Sequence, residues 1–78
     1  MSNIDEKLYK NGRKQLEYLR NKFEGENLNE LNNIIEATTL VTFKEKRKIL
    51  KLLKKFSDKL EDDKKNMISS VFFYFDDD

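Results

Sequence analysis

The stretch Thr42–Leu60, TFKEKRKILKLLKKFSDKL, sorts by helical position into two chemically opposite faces. At about 100° per residue, Ile49, Leu50, Leu52, Leu53, Phe56 and Leu60 fall within one arc of roughly 160°. Lys44, Arg47, Lys48, Lys51, Lys54, Lys55 and Lys59 occupy the opposite side. Such a segment has to be a helix with its apolar arc turned into a core, and a helix of this kind needs other helices to cover that arc. What the basic side is for is a separate matter.

The rest of the chain agrees with a helical build. It has 78 residues, enough for one domain. A domain so small buries a modest fraction of its surface, and without cysteine it has no disulfide or thiolate metal site to brace it. The apolar share is 37% and the charged share 40%. Against the usual figures of about 45–50% and about a quarter, these describe a lean core under a heavily solvated surface. There is no proline, and Gly12 and Gly25 are the two glycines, so long windows contain no strong helix breaker. The expected fold is all-α, a small antiparallel bundle of three to four helices. Residues 1–75 form the predicted domain, with helices at about 3–24, 28–38, 43–61 and 64–75, followed by an acidic tail at 76–78.

Individual signals set those boundaries. Ser2 or Asn3 can cap the first helix, with Asp5 and Glu6 placed favourably in its first turn. Ile4, Leu8, Gly12, Leu16, Leu19 and Phe23 recur at helical spacing, and Tyr9, Leu16 and Phe23 widen the face at intervals of seven. Gly12 lies in the middle of that face, where it costs about 1 kcal/mol relative to alanine. It admits either a close approach by another helix or a bend. Gly25 is expected to end this helix in the left-handed conformation. Asn27 with Glu30, and Thr42 with Glu45, have the spacing of capping boxes for the second and third helices. Leu28, Leu31, Ile35 and Thr38 mark the inner face of the second. The β-branched cluster Thr38–Thr42 then reads as a connection. Glu61, Asp62 and Asp63 suit a helix start better than a helix end, which favours a break there over one helix running on to Tyr74. Val71–Phe75 has strand-like composition as well, but a strand would need a partner from another chain.

Net charge is +1, arranged in alternating blocks. Residues 1–22 carry six basic and three acidic side chains, and residues 23–43 carry four acidic and none basic. Residues 44–59 carry eight basic and two acidic, and residues 60–78 two basic and six acidic. Antiparallel neighbours would bring unlike blocks together, each exposed pair contributing a few tenths of a kcal/mol.

Catalytic chemistry has little to stand on. Histidine and cysteine are absent, removing the commonest general base, the thiolate nucleophile and the usual zinc ligands. There is no Gly-rich phosphate loop and no nucleophile elbow. Asp76–Asp78 lacks the glycine and the spacing of a calcium loop. The expectation is a protein that is not an enzyme and has no cofactor, metal site or small-molecule substrate. Met1–Lys22 contains no apolar leader region, and no segment approaches the roughly 18 apolar residues of a membrane span, so a cytoplasmic setting is expected. The richness in Lys, Asn and Ile resembles that of proteins from AT-rich bacteria or their phages.

Two features remain for function. One is the basic face, which suits an acidic protein partner, an anionic membrane surface or, less well for a chain of net charge +1, nucleic acid. Its alternative is a solvated bundle face balanced by the acidic blocks. The other is the run Val71, Phe72, Phe73, Tyr74 and Phe75. Five consecutive large apolar residues span more than one buried helical arc, so part of the run should be exposed as an interface unless it folds over the end of the core. The leading expectation is a non-catalytic regulator, inhibitor or adaptor that binds another protein through this aromatic run and neighbouring basic residues. A homodimer closed over the run, or association with anionic membranes, are the alternatives. In size and helical build the chain resembles small phage-encoded inhibitors and bacteriocin immunity proteins, without a residue motif that assigns it to either.

Overall fold

The computed structural model describes the backbone of residues 3–76, and side chains from Glu6 to Asp76. Four α-helices follow in order: α1 at Asn3–Leu19, α2 at Gly25–Leu40, α3 at Lys46–Ser57 and α4 at Asp62–Ser69. Short 3-10 helices lie at Arg20–Lys22, Phe43–Glu45 and Phe72–Tyr74. The described residues include no strand, and within Val71–Phe75 the chain forms the 3-10 helix Phe72–Tyr74. The expected helical cap on Ser2 and the tail residues Asp77 and Asp78 lie outside the described residues, as do the side chains of Ile4 and Asp5.

The core forms because each helix contributes one apolar stripe. Leu16 from α1, Leu31 from α2, Ile49, Leu53 and Phe56 from α3, Ile68 from α4 and Phe75 are all fully buried. The arc predicted for α3 faces inward, except that Leu52, at its edge, is 41% exposed. Helix α2 packs along α3, α3 against α4 and α1 against α2, and the C-terminal 3-10 turn returns to α1. Phe23 and Phe56 meet with ring centroids 5.8 Å apart, joining the end of α1 to α3.

Helix ends differ from the sequence expectation, for identifiable reasons. The first helix stops at Leu19, tightens through Arg20–Lys22 and then becomes extended at Phe23 and Glu24. That extension swings Phe23 into the core, where it is 5% exposed. Gly25 does adopt positive φ, 65°, but it opens α2 and does not cap α1. The capping boxes do not form either. No side chain caps α2 or the 3-10 turn before α3, and Glu45 instead bonds Lys48 at 3.0 Å.

The second helix also runs past Thr38, through residues expected to be a connection. The hydroxyls of Thr38 and Thr39 donate to the carbonyls of Ile35 and Glu36, one turn back, which lets β-branched residues sit in a helical last turn. The break before the fourth helix is present: Lys59 and Leu60 donate to the carbonyls of Phe56 and Ser57, and α4 starts at Asp62. That helix ends at Ser69, short of the expected 75. The Ser69 and Ser70 hydroxyls bond the carbonyls of Asn66 and Met67 at 3.0 and 2.7 Å. From there the chain tightens into 3-10 geometry, which turns both Val71 and Phe75 inward.

Gly12 is the close-approach glycine and not a bend, since α1 runs through it unbroken. A Cβ at this position would lie 2.7 Å from Phe75 Cζ and 2.7 Å from Tyr74 Cβ. Helix propensity alone would favour alanine by about 1 kcal/mol, whereas forcing an extra carbon into a filled space costs about 1–3 kcal/mol. We therefore expect Gly12→Ala to lower stability to urea by up to ~2 kcal/mol. Asn11→Ala, at the exposed neighbouring position, should raise it by a few tenths of a kcal/mol. Equal gains in both variants would show that the C-terminal turn does not rest on Gly12.

Candidate interaction surfaces

The basic face is displayed as the sequence implies. Lys44, Arg47, Lys48, Lys51, Lys54, Lys55 and Lys59 are all exposed. The expected balancing by acidic blocks is slight. Lys48 pairs with Glu45 and Lys59 with Glu30, each at 3.0 Å, while the other five make no ion pair among the described residues. Leu52 adds an exposed apolar side chain at the edge of this field, three and four residues from Lys55 and Lys48. A shallow groove of about 160 Å³ lies beside it, between α2 and α3. Lys46 is the exception among the cations of this helix. It sits in the apolar arc, 8% exposed, with its stem buried and its ammonium reaching water.

The aromatic run divides. Val71 and Phe75 are core residues, 3% and 0% exposed, and Phe72 and Tyr74 are half-buried against the core. Phe73 alone in the run is well exposed, at 58%. Its ring leans on Tyr74, with centroids 4.4 Å apart. Most of the run therefore covers the end of the bundle, and as a free surface it offers one phenylalanine with the outer edges of its neighbours.

A third surface was hidden from the sequence. Tyr9, read there as part of an apolar stripe, is buried beneath the α2–α3 connection, and its hydroxyl donates to the carbonyls of Thr38, at 3.0 Å, and Val41. One phenolic proton is shared between two acceptors at the end of α2, where helical carbonyls lack backbone donors. Tyr9 thus caps α2 from α1. The Phe75 and Tyr9 rings meet nearly perpendicular, centroids 5.7 Å apart. Above Tyr9 lies an open cleft of about 490 Å³ between α1 and the connection. Lys10, Arg13 and Lys44 line it, with Glu6 as the one acidic side chain among the described lining residues, and Leu40 stands at its edge, 80% exposed. The one signal in the sequence was the hydroxyl itself, since a tyrosine within a buried stripe needs a hydrogen-bond partner.

Burial pushes the Tyr9 phenol above its ordinary value of 10.0, nearby Arg13 opposing the shift and Glu45 adding to it. A group whose folded-state value is raised contributes stability that is complete below the unfolded value and is lost as pH rises through the folded one. Tyr9→Phe leaves two carbonyls without their donor and should cost about 1–2 kcal/mol at neutral pH. The difference between the parent and Tyr9→Phe should hold steady up to pH 10 and shrink above it, as read from urea unfolding at stepped pH. A difference that stays constant into strong alkali would place the hydroxyl in water.

No protein-family model, curated protein or solved structure matches the chain.

Proposed function

We propose that this chain is a non-catalytic interaction protein, a small regulator, inhibitor or adaptor, that docks through the basic face of α3 onto an acidic surface of a protein partner. The observation that carries the reading is the set of five exposed cations, Lys44, Arg47, Lys51, Lys54 and Lys55, that make no ion pair among the described residues, with Leu52 exposed at the edge of their face. Exposed charges without local partners steer association and fix orientation, and an apolar side chain among them supplies a contact that excludes water. The partner-binding role first assigned to the aromatic run moves here because Val71 and Phe75 are committed to the core. Phe73 remains available as an outlying contact.

A protein partner suits this face better than a membrane or a duplex. An interfacial helix inserts its apolar side into lipid, but Ile49, Leu50, Leu53 and Phe56 are at most 5% exposed and support the bundle. A duplex meets a strongly basic domain, whereas here α2 carries Glu26, Glu30 and Glu36 against one end of a chain with net charge +1.

Lys51 and Lys55 are exposed and make no ion pair among the described residues, so reversing both should leave the fold intact. With tagged protein as bait in source-cell lysate, treated with nuclease and detergent, a stoichiometric protein should be retained. K51E/K55E should weaken its binding roughly tenfold or more, and added salt should weaken the parent's binding in the same direction. Retention of nuclease-sensitive material alone, or sedimentation with anionic vesicles in place of a protein, would overturn this reading.

A further inference from the structure

The cleft over Tyr9 has the size of a ligand site, and its charge is lopsided. At about 490 Å³ it falls within the range of about 300–1,000 Å³ in which proteins hold ligands. Among the described residues three cations, Lys10, Arg13 and Lys44, and one carboxylate, Glu6, line it, with Glu45 near enough to act on Tyr9. None of the three cations forms an ion pair among the described residues. Arg13 is half-buried in the wall. The apolar part is contributed by Phe43 and Val41, both half-buried, and by Leu40. At 80%, Leu40 is the most exposed large apolar side chain described. It stands at the last position of α2, where a turn inward would have spared it from water.

We propose that this cleft receives a short acidic segment of the protein partner, with one apolar side chain seated against Leu40 and Phe43 and flanking carboxylates directed at Lys10, Arg13 and Lys44. The inference rests on the reading of an acidic protein partner and assigns that partner a second, anchoring contact. Lys44, in the 3-10 turn that leads into α3, lines the cleft and belongs to the same basic face as the α3 cations, so one acidic surface can engage both. Charge decides the occupant: a basic or neutral segment would leave the cations in excess over Glu6 among the described lining residues, while carboxylates complement them. The site is open and floored by a tyrosine whose hydroxyl is already engaged, which suits an extended peptide better than an enclosed small molecule.

The test uses the full chain as bait against displayed twelve-residue peptides, rich in Asp and Glu and randomised at their central positions. Selection should enrich a leucine or aromatic residue between carboxylates. Binding of a selected synthetic peptide, followed by fluorescence anisotropy, should fall at least tenfold in Leu40→Asp and in Lys10→Glu. Both positions are exposed, and circular dichroism should confirm an unchanged fold. K51E/K55E should change the same affinity less than threefold. Absence of enrichment, or selected peptides indifferent to Leu40→Asp and Lys10→Glu, would overturn the proposal. Peptides that respond only to K51E/K55E would overturn it too, while leaving the docking role of α3 intact. Displacement of the peptide by a DNA duplex at equal charge concentration would also overturn it, by making the cleft a general polyanion site.

Discussion

Because Gly12 has no Cβ, the C-terminal turn can lie directly on α1, with Phe75 and Tyr74 filling the space a side chain would take. The rest of the arrangement depends on that contact. Phe75 closes the end of the core and meets the ring of Tyr9, and Tyr9 in turn holds the carbonyls at the end of α2. A chain of 78 residues with a lean apolar content has few ways to join its two ends, and here one glycine and one phenylalanine do so. The connection also explains why the aromatic run is mostly core: without Val71 and Phe75 the bundle would be open at the end where α1, α4 and the C-terminal turn meet.

The sequence was most legible where a regular period decides the outcome. The two faces of α3 follow from residue spacing alone, and so does the all-α fold, because no proline and few glycines interrupt those periods. Helix ends were less legible because they depend on local competition. Thr38 and Thr39 look like a connection by propensity, yet their hydroxyls satisfy carbonyls within the helix and carry α2 on to Leu40. Asn27–Glu30 has the right spacing for capping, but α2 begins two residues earlier, at Gly25; Thr42 does stand before the 3-10 turn that leads into α3, yet its side chain makes no cap bond and Glu45 is taken by Lys48. Gly12 announced a special position without naming its occupant, since that comes from a residue 63 positions away. The cleft over Tyr9 could not be read at all. It is made by a connection folding over α1, and a stripe of apolar positions does not distinguish a tyrosine that caps a helix from one that simply packs.

Charge and stability are largely separate in this molecule. The exposed pairs Lys48–Glu45 and Lys59–Glu30 are of the kind that contribute about 0–1 kcal/mol. Most of the cations on α3 do not support the fold, and they concentrate on the one helix whose inner face is most thoroughly buried. A helix anchored so firmly from within can present a like-charged outer face, with the packing of Ile49, Leu53 and Phe56 outweighing the repulsion. That division, an apolar inside that carries stability and a basic outside that does not, is the physical basis on which we propose this face for a partner. Leu40 and Leu52 break the pattern by placing apolar groups in water beside cations, and both are positions where contact with another molecule would remove an unfavourable exposure.

The dependence on the Gly12 contact is most directly tested by solution NMR of the full chain. The account predicts cross-relaxation between the Gly12 α protons and the Phe75 ring, a ring-current displacement of those α protons, and a second set of contacts between the Phe75 and Tyr9 rings. A Gly12 resonance at ordinary helical shift, with Phe75 showing contacts to neither Gly12 nor Tyr9, would contradict it, and the bundle would then have to be closed in some other way.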